Sequence, residues 1–371
     1  MVSGVKWDYL SQVKTGRTKA AMEKYLQYSK ISESIEKGIG FLSEHQFASG
    51  EFVTYFSADE EMKEWCATDN TTFITAFIAQ CLMPLASRPD VENILTKAQW
   101  FLNAQAMDGG VFHFYTKNLT LFRVVPPDID CTATTGFFLR SRNIGFPDAT
   151  PLILSNRNKA GLFYTWFSPR FSLSKNRLAW KIRFRFLKNP LETLLARLSN
   201  EFTYNDLDFI VNANVLLFLG DVPATQPVIS FIKKTLENNK ELSSDSWYYN
   251  PFIIYYLCSR LFSLKIAALE NCKEIVFGKL KNILRTREMR PLELAMAISA
   301  MLHTNIVEPG IEQLVHQLLT SQNKNGSWDR LFFYSVPSQK IGWGCEELTT
   351  AFAIEALWKY QQFADKKQQL L

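Results

Sequence analysis

A short turn pattern recurs along the chain and limits the folds that the chain can adopt. A glutamine is followed, four residues later, by a glycine and soon afterwards by an aromatic residue. The copies occupy residues 46–52, 105–112 and 322–328. Each copy follows an apolar stretch with helical spacing, so each predicts a helix that ends at a glycine-containing turn. Recurrence of such a unit indicates a repeat architecture.

A second recurring element is a helix start that is rich in Asp, Glu, Asn and Thr and continues with small and apolar residues. Its copies begin at Asp69, Asp128 and Glu346, with more divergent copies at Asp206 and Leu292. The polar residues can cap the first turn, and the small residues allow close helix packing. Helix pairs that repeat about every 50 residues predict a solenoid or a closed toroid.

Closure is favoured because polar helix starts suit the lining of a central cavity. We therefore predict an all-α fold, an (α/α)6 barrel, with residues 1–371 in a single domain. The sequence has no linker rich in Gly, Pro and Ser that would separate two domains.

Composition excludes several classes of protein. Hydrophobic residues make up 47% of the 371 residues and charged residues 21%, as in a globular domain. The sequence predicts neither a membrane-spanning helix nor a signal peptide, so we expect a cytoplasmic protein with reduced cysteines. The histidines lie at no metal-ligand spacing, so neither a metal nor a cofactor is expected. A net charge of +5 is too small to indicate nucleic-acid binding.

The motif with most chemical content is Asp128-Ile-Asp130-Cys131-Thr132, which follows two prolines at a predicted helix start. Two neighbouring carboxyl groups can share one proton, and burial disfavours their charged forms, so one of them can stay protonated at neutral pH. The alternative is that Asp128 and Asp130 only cap the helix. Both roles can hold together, because a capping carboxyl group can also face a cavity.

The turn pattern resembles the repeats of the squalene-hopene and oxidosqualene cyclase superfamily, and more loosely those of protein prenyltransferase β subunits. Asp128, Asp130, Thr132 and Thr135 match the Asp-x-Asp-x-Thr-x-x-Thr pattern of single-domain class II terpene cyclases of the merosterolic acid synthase type. The resemblance implies that Asp130 protonates a linear isoprenoid, with Asp128 as its partner, and that the resulting cation closes several rings without a metal. It further implies a prenylated aromatic substrate. Because Cys131 stands where related enzymes have another Asp, alkene and epoxide initiation both stay open.

Several residues near the predicted helix starts are candidates for the wall of a substrate cavity. Aromatic faces stabilise cations by ~0.5–2 kcal/mol each. The candidate substrate-binding residues are Cys131, Thr132, Thr135, Trp166, Asn212, Tyr249 and Trp343. Each aromatic residue could instead only pack in the core. Asn212 and Asn214 are unusual in an apolar helix, and each could face the cavity or only bind neighbouring backbone.

A basic stretch around residues 168–200 does not fit the repeat, and we predict that it is an insertion. Between Arg170 and Pro190 basic residues alternate with aromatic and aliphatic ones, and no acidic residue occurs. Such a stretch can dock on an anionic surface, so we expect peripheral contact with the inner face of a membrane. It could also bind an anionic group of the substrate or form a solvated loop. It is too short to favour nucleic acid.

Two other functions are compatible with the sequence. A non-catalytic toroid that binds a lipid or peptide would use the Asp pair only as a cap. A prenyltransferase acting on a diphosphate would depend on Mg²⁺ or Zn²⁺, and the sequence has neither an Asp-Asp-x-x-Asp cluster nor a Gly-rich phosphate loop. Burial of both Asp carboxyl groups beside an aromatic cavity would favour the cyclase.

Overall fold

The computed structural model describes residues 28–168, 177–198, 205–306, 310–336 and 340–369. Helices dominate this part of the chain, as predicted, and a small antiparallel sheet accompanies them. The helices are α1 (28–45), α2 (Phe73–Leu82), α3 (Pro89–Gln105), α4 (Leu121–Val124), α5 (Ile129–Ser141), α6 (Thr150–Leu154), α7 (Arg177–Arg183), α8 (Pro190–Leu198), α9 (Phe209–Leu219), α10 (Gln226–Glu237), α11 (Pro251–Ser259), α12 (Cys272–Leu284), α13 (Pro291–Thr304), α14 (Ile311–Thr320) and α15 (Glu346–Gln369).

Within the described ranges, six helices contact one another in a closed cycle. Their order is α2, α5, α9, α11, α13 and α15, and α15 returns to α2. Helices α3, α10, α12 and α14 pack against members of this cycle. Every residue of α9 from Phe209 to Phe218 is buried, whereas α10 buries one face, so burial separates inner from outer helices.

The starts of the inner helices meet at one end of the cycle. Phe73, Asp130 and Val211 lie in the first turns of α2, α5 and α9, and all three line one cavity. Pro251 and Pro291 occupy the first positions of α11 and α13. Proline is favoured there because the N–H that it lacks would have no partner inside the helix.

The sheet was not predicted, so the all-α interpretation holds for the helical framework only. Its strands are β1 (Thr54–Ser57), β2 (Ala67–Asp69), β3 (Tyr334–Val336) and β4 (Ile341–Gly344), in the order β2-β1-β4-β3. Tyr55 of β1 lies opposite Gly344 of β4, so the sheet joins the early and late parts of the chain. Strands of three or four residues are too short to show a two-residue hydrophobic period.

The glutamine turns join neighbouring helices. Gln46 Nε2 donates to the carbonyl oxygens of Gly50 and Ile94, both at 3.0 Å, and thereby ties its turn to α3. Gln322 Nε2 makes the equivalent bonds to Gly326 and Ser34, both at 2.9 Å. The predicted glycine turns therefore also set the distance between consecutive helix pairs.

We expect Gly50→Ala to destabilise the protein by about 1–3 kcal/mol. Gly50 has φ +95°, and an added Cβ would lie 2.1 Å from the carbonyl oxygen of Lys97, so the turn and α3 would have to move apart. The matched control is Gly40→Ala in α1, where a Cβ would meet no atom within 4 Å and helix propensity favours alanine. Thermal denaturation should show a lower Tm for Gly50→Ala alone, and equal Tm values would contradict the prediction.

The predicted basic insertion is described in part, since residues 169–176 and 199–204 lie outside the described ranges. Its described portion contains α7 and α8, and α8 packs on α4. Ala196 of α8 joins an apolar cluster with Val124, Val125 and Trp166. The insertion therefore lies next to the cavity described below. In the described ranges, helices that combine the length and apolar character needed to cross a membrane are absent.

Candidate active site

A cavity opens at the end of the cycle where the inner helices begin. Aromatic rings form much of its wall. Tyr334 and Trp343 are stacked with their ring centroids 5.5 Å apart, and Phe114 meets both rings edge-on. Phe73 lies edge-on to Tyr334 at 5.4 Å. This apolar lining suits a hydrocarbon chain, and its ring faces can stabilise a cation.

Asp128 and Asp130 are both buried at the wall of this cavity, with 4% and 8% of their surfaces exposed. Asp128 caps α5, and its Oδ1 accepts from the Cys131 N–H at 2.6 Å. Its Oδ2 is buried and has no hydrogen-bond partner among the described residues. Asp130 Oδ1 accepts from Asn214 Nδ2 at 2.7 Å, and Oδ2 accepts from the Tyr248 hydroxyl at 2.8 Å. Asp128 therefore both caps α5 and lies at the cavity wall.

The environment of the pair allows it to hold a proton near neutral pH. Burial raises the pKa of Asp128 to about 7, and the negative charge of Asp130 adds to the rise. Burial also raises the pKa of Asp130 to about 6, although hydrogen bonds from Asn214 and Tyr248 favour its ionised form. Carboxyl groups this close titrate as a pair, and one shared proton can lie on either.

The structure separates the two asparagines that the sequence left undecided. Asn214 donates directly to Asp130. Asn212, proposed as a substrate-binding residue, instead donates to the carbonyl oxygens of Phe163 and Asp208 and accepts from the Phe163 N–H at 2.9 Å. Because these backbone groups satisfy its amide, Asn212 fixes a loop and lies outside the cavity wall. The sequence feature that pointed to both Asn212 and Asn214 was a polar amide within an otherwise apolar helix.

Of the two adjacent tyrosines, Tyr248 reaches the acid and Tyr249 does not. Tyr249 was predicted at the cavity wall, but it is 41% exposed and lies beside Glu60. Tyr248 is 1% exposed and lines the cavity. Asp245 Oδ1 accepts hydrogen bonds from the N–H groups of Trp247 and Tyr248. These bonds hold a bend in the chain, and the bend turns Tyr248 rather than Tyr249 toward the cavity. No local pattern in the sequence reveals which tyrosine that bend turns inward.

Three further candidates line the cavity and two do not. Cys131, Trp166 and Trp343 lie at the wall as predicted. The indole N–H groups of Trp166 and Trp343 donate to Asp206 at 3.0 Å and Asp69 at 2.9 Å, respectively, which fixes both rings.

Thr132 and Thr135 are fully buried in α5 but do not lie at the wall. The Thr132 hydroxyl donates to the Asp128 carbonyl at 2.6 Å and accepts from the Phe112 N–H at 3.0 Å. Thr132 thus supports the start of α5 that carries the acid pair. Among the described residues, there is no group of three or more His, Cys, Asp or Glu side chains that could hold a metal ion.

Comparison with known proteins yields likeness in structure only: no protein-family model matches the chain, and no curated protein matches it in sequence. A protein from Actinoplanes has a TM-score of 0.63 at 17% identity, covering 89% of this chain and 99% of its own. A variant of the type II terpene cyclase MstE from Scytonema, solved with its substrate geranylgeranyl dihydroxybenzoate, has a TM-score of 0.62 at 14% identity, covering 90% and 98%. Another MstE variant, solved with its product merosterolic acid A, has a TM-score of 0.61 at 15% identity, again covering 90% and 98%. The resemblance predicted from the sequence is therefore confirmed at the level of the fold.

Proposed function

We propose that this protein is a class II terpene cyclase, an isomerase that protonates a linear isoprenoid and closes it to a polycycle within an (α/α)6 barrel. The observation that carries the proposal is the buried Asp128–Asp130 pair in the wall of an aromatic cavity. Such a pair can keep a proton at neutral pH and deliver it away from bulk water. A non-catalytic lipid-binding toroid would leave this costly burial of two acids without a role.

In the proposed reaction Asp130 gives its proton to an alkene or epoxide of the bound chain. The π electrons of the alkene, or the epoxide oxygen, take the proton, and a carbocation forms in the cavity. The carboxylate left on Asp130 is stabilised by the Asn214 amide and the Tyr248 hydroxyl. A phenolic hydroxyl both donates and accepts, so Tyr248 can bind the acid before the transfer and its anion afterwards. Internal double bonds then close the rings, with Cys131, Trp166 and Trp343 in contact with the chain. The last cation loses a proton to water, which gives the cyclised isomer.

A polar group in the wall supports a substrate with an oxygen-bearing head. The Trp247 indole N–H is buried at the cavity and has no hydrogen-bond partner among the described residues. A buried donor without a partner costs about 1–3 kcal/mol, and a ligand oxygen would remove this cost. A prenylated aromatic acid or phenol supplies such an oxygen. MstE, which has the same fold, was solved with a substrate of this class.

Incubation with geranylgeranyl dihydroxybenzoate in D2O tests the proposed function. We expect a polycyclic isomer that carries one deuterium on the carbon that was protonated, because the acid exchanges its proton with solvent before each turnover. Mass spectrometry and NMR of the product would locate the label. A cyclised product without deuterium would exclude initiation by a solvent-exchangeable acid. Recovery of unchanged substrate would exclude this substrate, and the same result with farnesylated and epoxidised analogues would reject the cyclase.

We also propose that α8 binds the surface of an anionic membrane, from which a hydrophobic substrate would enter the cavity. Four leucines spaced as one helix face point outward, with exposed fractions of 48–70%. They are Leu191, Leu194, Leu195 and Leu198. The opposite face, with Thr193 and Ala196, is buried toward the cluster that borders the cavity. Lys188, just before α8, and Arg197 within it would meet anionic head groups.

Replacing Leu195 and Leu198 together by serine should weaken binding to vesicles that contain phosphatidylglycerol at least tenfold. Each leucine removed from the bilayer interface costs about 1.5 kcal/mol or more. Leu242→Ser, at a leucine that is 47% exposed in the turn of residues 241–243, is the matched control and should bind as the parent does. Co-sedimentation measures the binding. Parent-like binding to vesicles by the double variant would contradict the proposal and assign this face to another partner.

A further inference from the structure

A second buried carboxyl group lies behind the cavity wall and has no role in the function proposed above. Asp208 is 1% exposed, and its Oδ2 accepts a hydrogen bond from the Thr165 hydroxyl. Its Oδ1 accepts from the Ser246 N–H at 2.9 Å. Thr165 itself lines the cavity together with Asp128 and Asp130. One hydroxyl therefore separates Asp208 from the space that holds the substrate.

Backbone pairing places Thr165 beside the acid pair. The Thr165 carbonyl accepts from the Ile129 N–H at 2.7 Å, and Trp166 pairs with Asp128 in an isolated antiparallel bridge. The Phe167 N–H donates to the Pro127 carbonyl at 3.0 Å. The segment of residues 165–167 thus runs antiparallel to residues 127–129. This pairing fixes a hydroxyl bound to one buried acid next to the start of α5.

Asp128 has a carboxyl oxygen, Oδ2, that can accept a proton. Asp128 Oδ2 is buried at the cavity and has no hydrogen-bond partner among the described residues. Burying such an oxygen in an aromatic cavity destabilises the folded protein unless the oxygen is protonated or accepts a hydrogen bond from a water molecule. Thr165, which is bound to Asp208, and Asp128 thus line the same cavity.

Asp208 has a local reason to carry a proton. Asp245 lies close to it and accepts from three backbone N–H groups, those of Ile210, Trp247 and Tyr248, which favour the ionised form of Asp245. Burial raises the pKa of Asp208 to about 6, and the charge of Asp206 adds to the rise. Burial also raises the pKa of Asp245 well above its usual value, and the charge of Asp208 adds to that rise. Asp208 can therefore hold a proton near neutral pH, and its hydrogen bond with Thr165 places that proton beside the cavity.

We propose that Asp208 and Thr165 form a proton relay that reprotonates the Asp128–Asp130 pair after each turnover. The relay rests on the proposed cyclisation. When Asp208 is protonated, its hydrogen bond with Thr165 reverses, so that the Asp208 O–H donates to Thr165 Oγ1 and the Thr165 hydroxyl can donate into the cavity. Once product leaves, the Asp208 proton moves to Thr165 Oγ1, and the Thr165 hydroxyl proton passes through one water molecule in the emptied cavity to Asp128 Oδ2. The acid pair regains one proton and Asp208 becomes a carboxylate. Solvent must then return a proton to Asp208 to complete the cycle.

Comparison of single-turnover and steady-state rates tests the relay. The variants are Thr165→Val, which removes the hydroxyl but keeps its shape, Thr165→Ser, which keeps the hydroxyl, and Asp208→Asn. Each enzyme is equilibrated at pH 5 to load the acid pair and is then mixed at pH 7.5 with geranylgeranyl dihydroxybenzoate. The matched control is Thr235→Val, a buried threonine of outer helix α10.

We expect Thr165→Val and Asp208→Asn to keep a first-turnover rate within about threefold of the parent, while kcat falls at least tenfold, which gives a burst of one product per enzyme. Thr165→Ser and Thr235→Val should keep both rates. An unchanged kcat in Thr165→Val, or an equal fall of both rates, would overturn the relay, since the second result means a role in cavity shape alone. Failure of the parent to cyclise any prenylated substrate would instead refute the proposed function.

Discussion

Asp130→Asn is expected to lower kcat for cyclisation by about 10⁴-fold. The amide occupies nearly the same volume as the carboxyl group but cannot give a proton to an alkene. Asn214 and Tyr248 would still surround it, so the cavity should keep its shape and bind substrate with little change in Kd. Product formation measured by mass spectrometry, with substrate binding followed by quenching of tryptophan fluorescence, separates the two effects.

The control for this variant is Asp148→Asn, an exposed aspartate outside the cavity, which should turn over as the parent does. Asp128→Asn is a second informative variant. If Asp128 only assists its neighbour, activity should fall less than in Asp130→Asn. Full activity in Asp130→Asn would remove Asp130 from the role of acid, and activity lost in Asp128→Asn alone would transfer that role to Asp128.

The second large effect concerns stability as a function of pH. Burial raises the pKa of Asp130 from 3.8 in the unfolded chain to about 6, so between these values the folded state binds more protons than the unfolded state. Stability from this group is therefore greatest below about pH 4 and is lost as the pH rises toward 6. A rise of two pKa units corresponds to about 3 kcal/mol.

Asp130→Asn should remove most of this dependence. Because asparagine cannot ionise, we expect the variant to be more stable than the parent at pH 8 and close to it at pH 4. Removal of the Asp130 charge should also lower the pKa of Asp128, which flattens the profile further. Urea unfolding at both pH values measures the difference. Parallel profiles for parent and variant would mean that Asp130 carries its charge at little cost in the folded protein.

These two results would be independent of each other. Loss of activity tests what Asp130 does, whereas the pH profile tests whether burial raises its pKa. A strongly pH-dependent parent with a fully active variant would leave a buried acid that does not catalyse cyclisation. In that case another acid of the cavity, with Asp128 as the first candidate, would have to protonate the isoprenoid.

The sequence was most informative where local chemistry decides the structure. Glycine turns after apolar stretches and polar helix starts predicted a repeated helical architecture, because capping and positive φ act within a few residues. The Asp128–Asp130 pair was predicted for the same reason, since two prolines and a capping residue fix the start of α5. The sheet escaped prediction because its short strands are held by partners from distant parts of the chain.

Side-chain choices at the site depended on tertiary contacts. Asn214 and Asn212 stand two residues apart on one helix, and only packing against α5 gives one of them an acid to bind. Tyr248 and Tyr249 are adjacent, and a bend held by Asp245 turns one into the cavity and the other into solvent. The sequence alone thus determined the helical framework and the capped helix start that carries the Asp128–Asp130 pair, because backbone propensity and capping are local. Only the tertiary structure decided which neighbours surround that motif, because desolvation and hydrogen bonding between distant segments exist only once the helices have closed around the cavity.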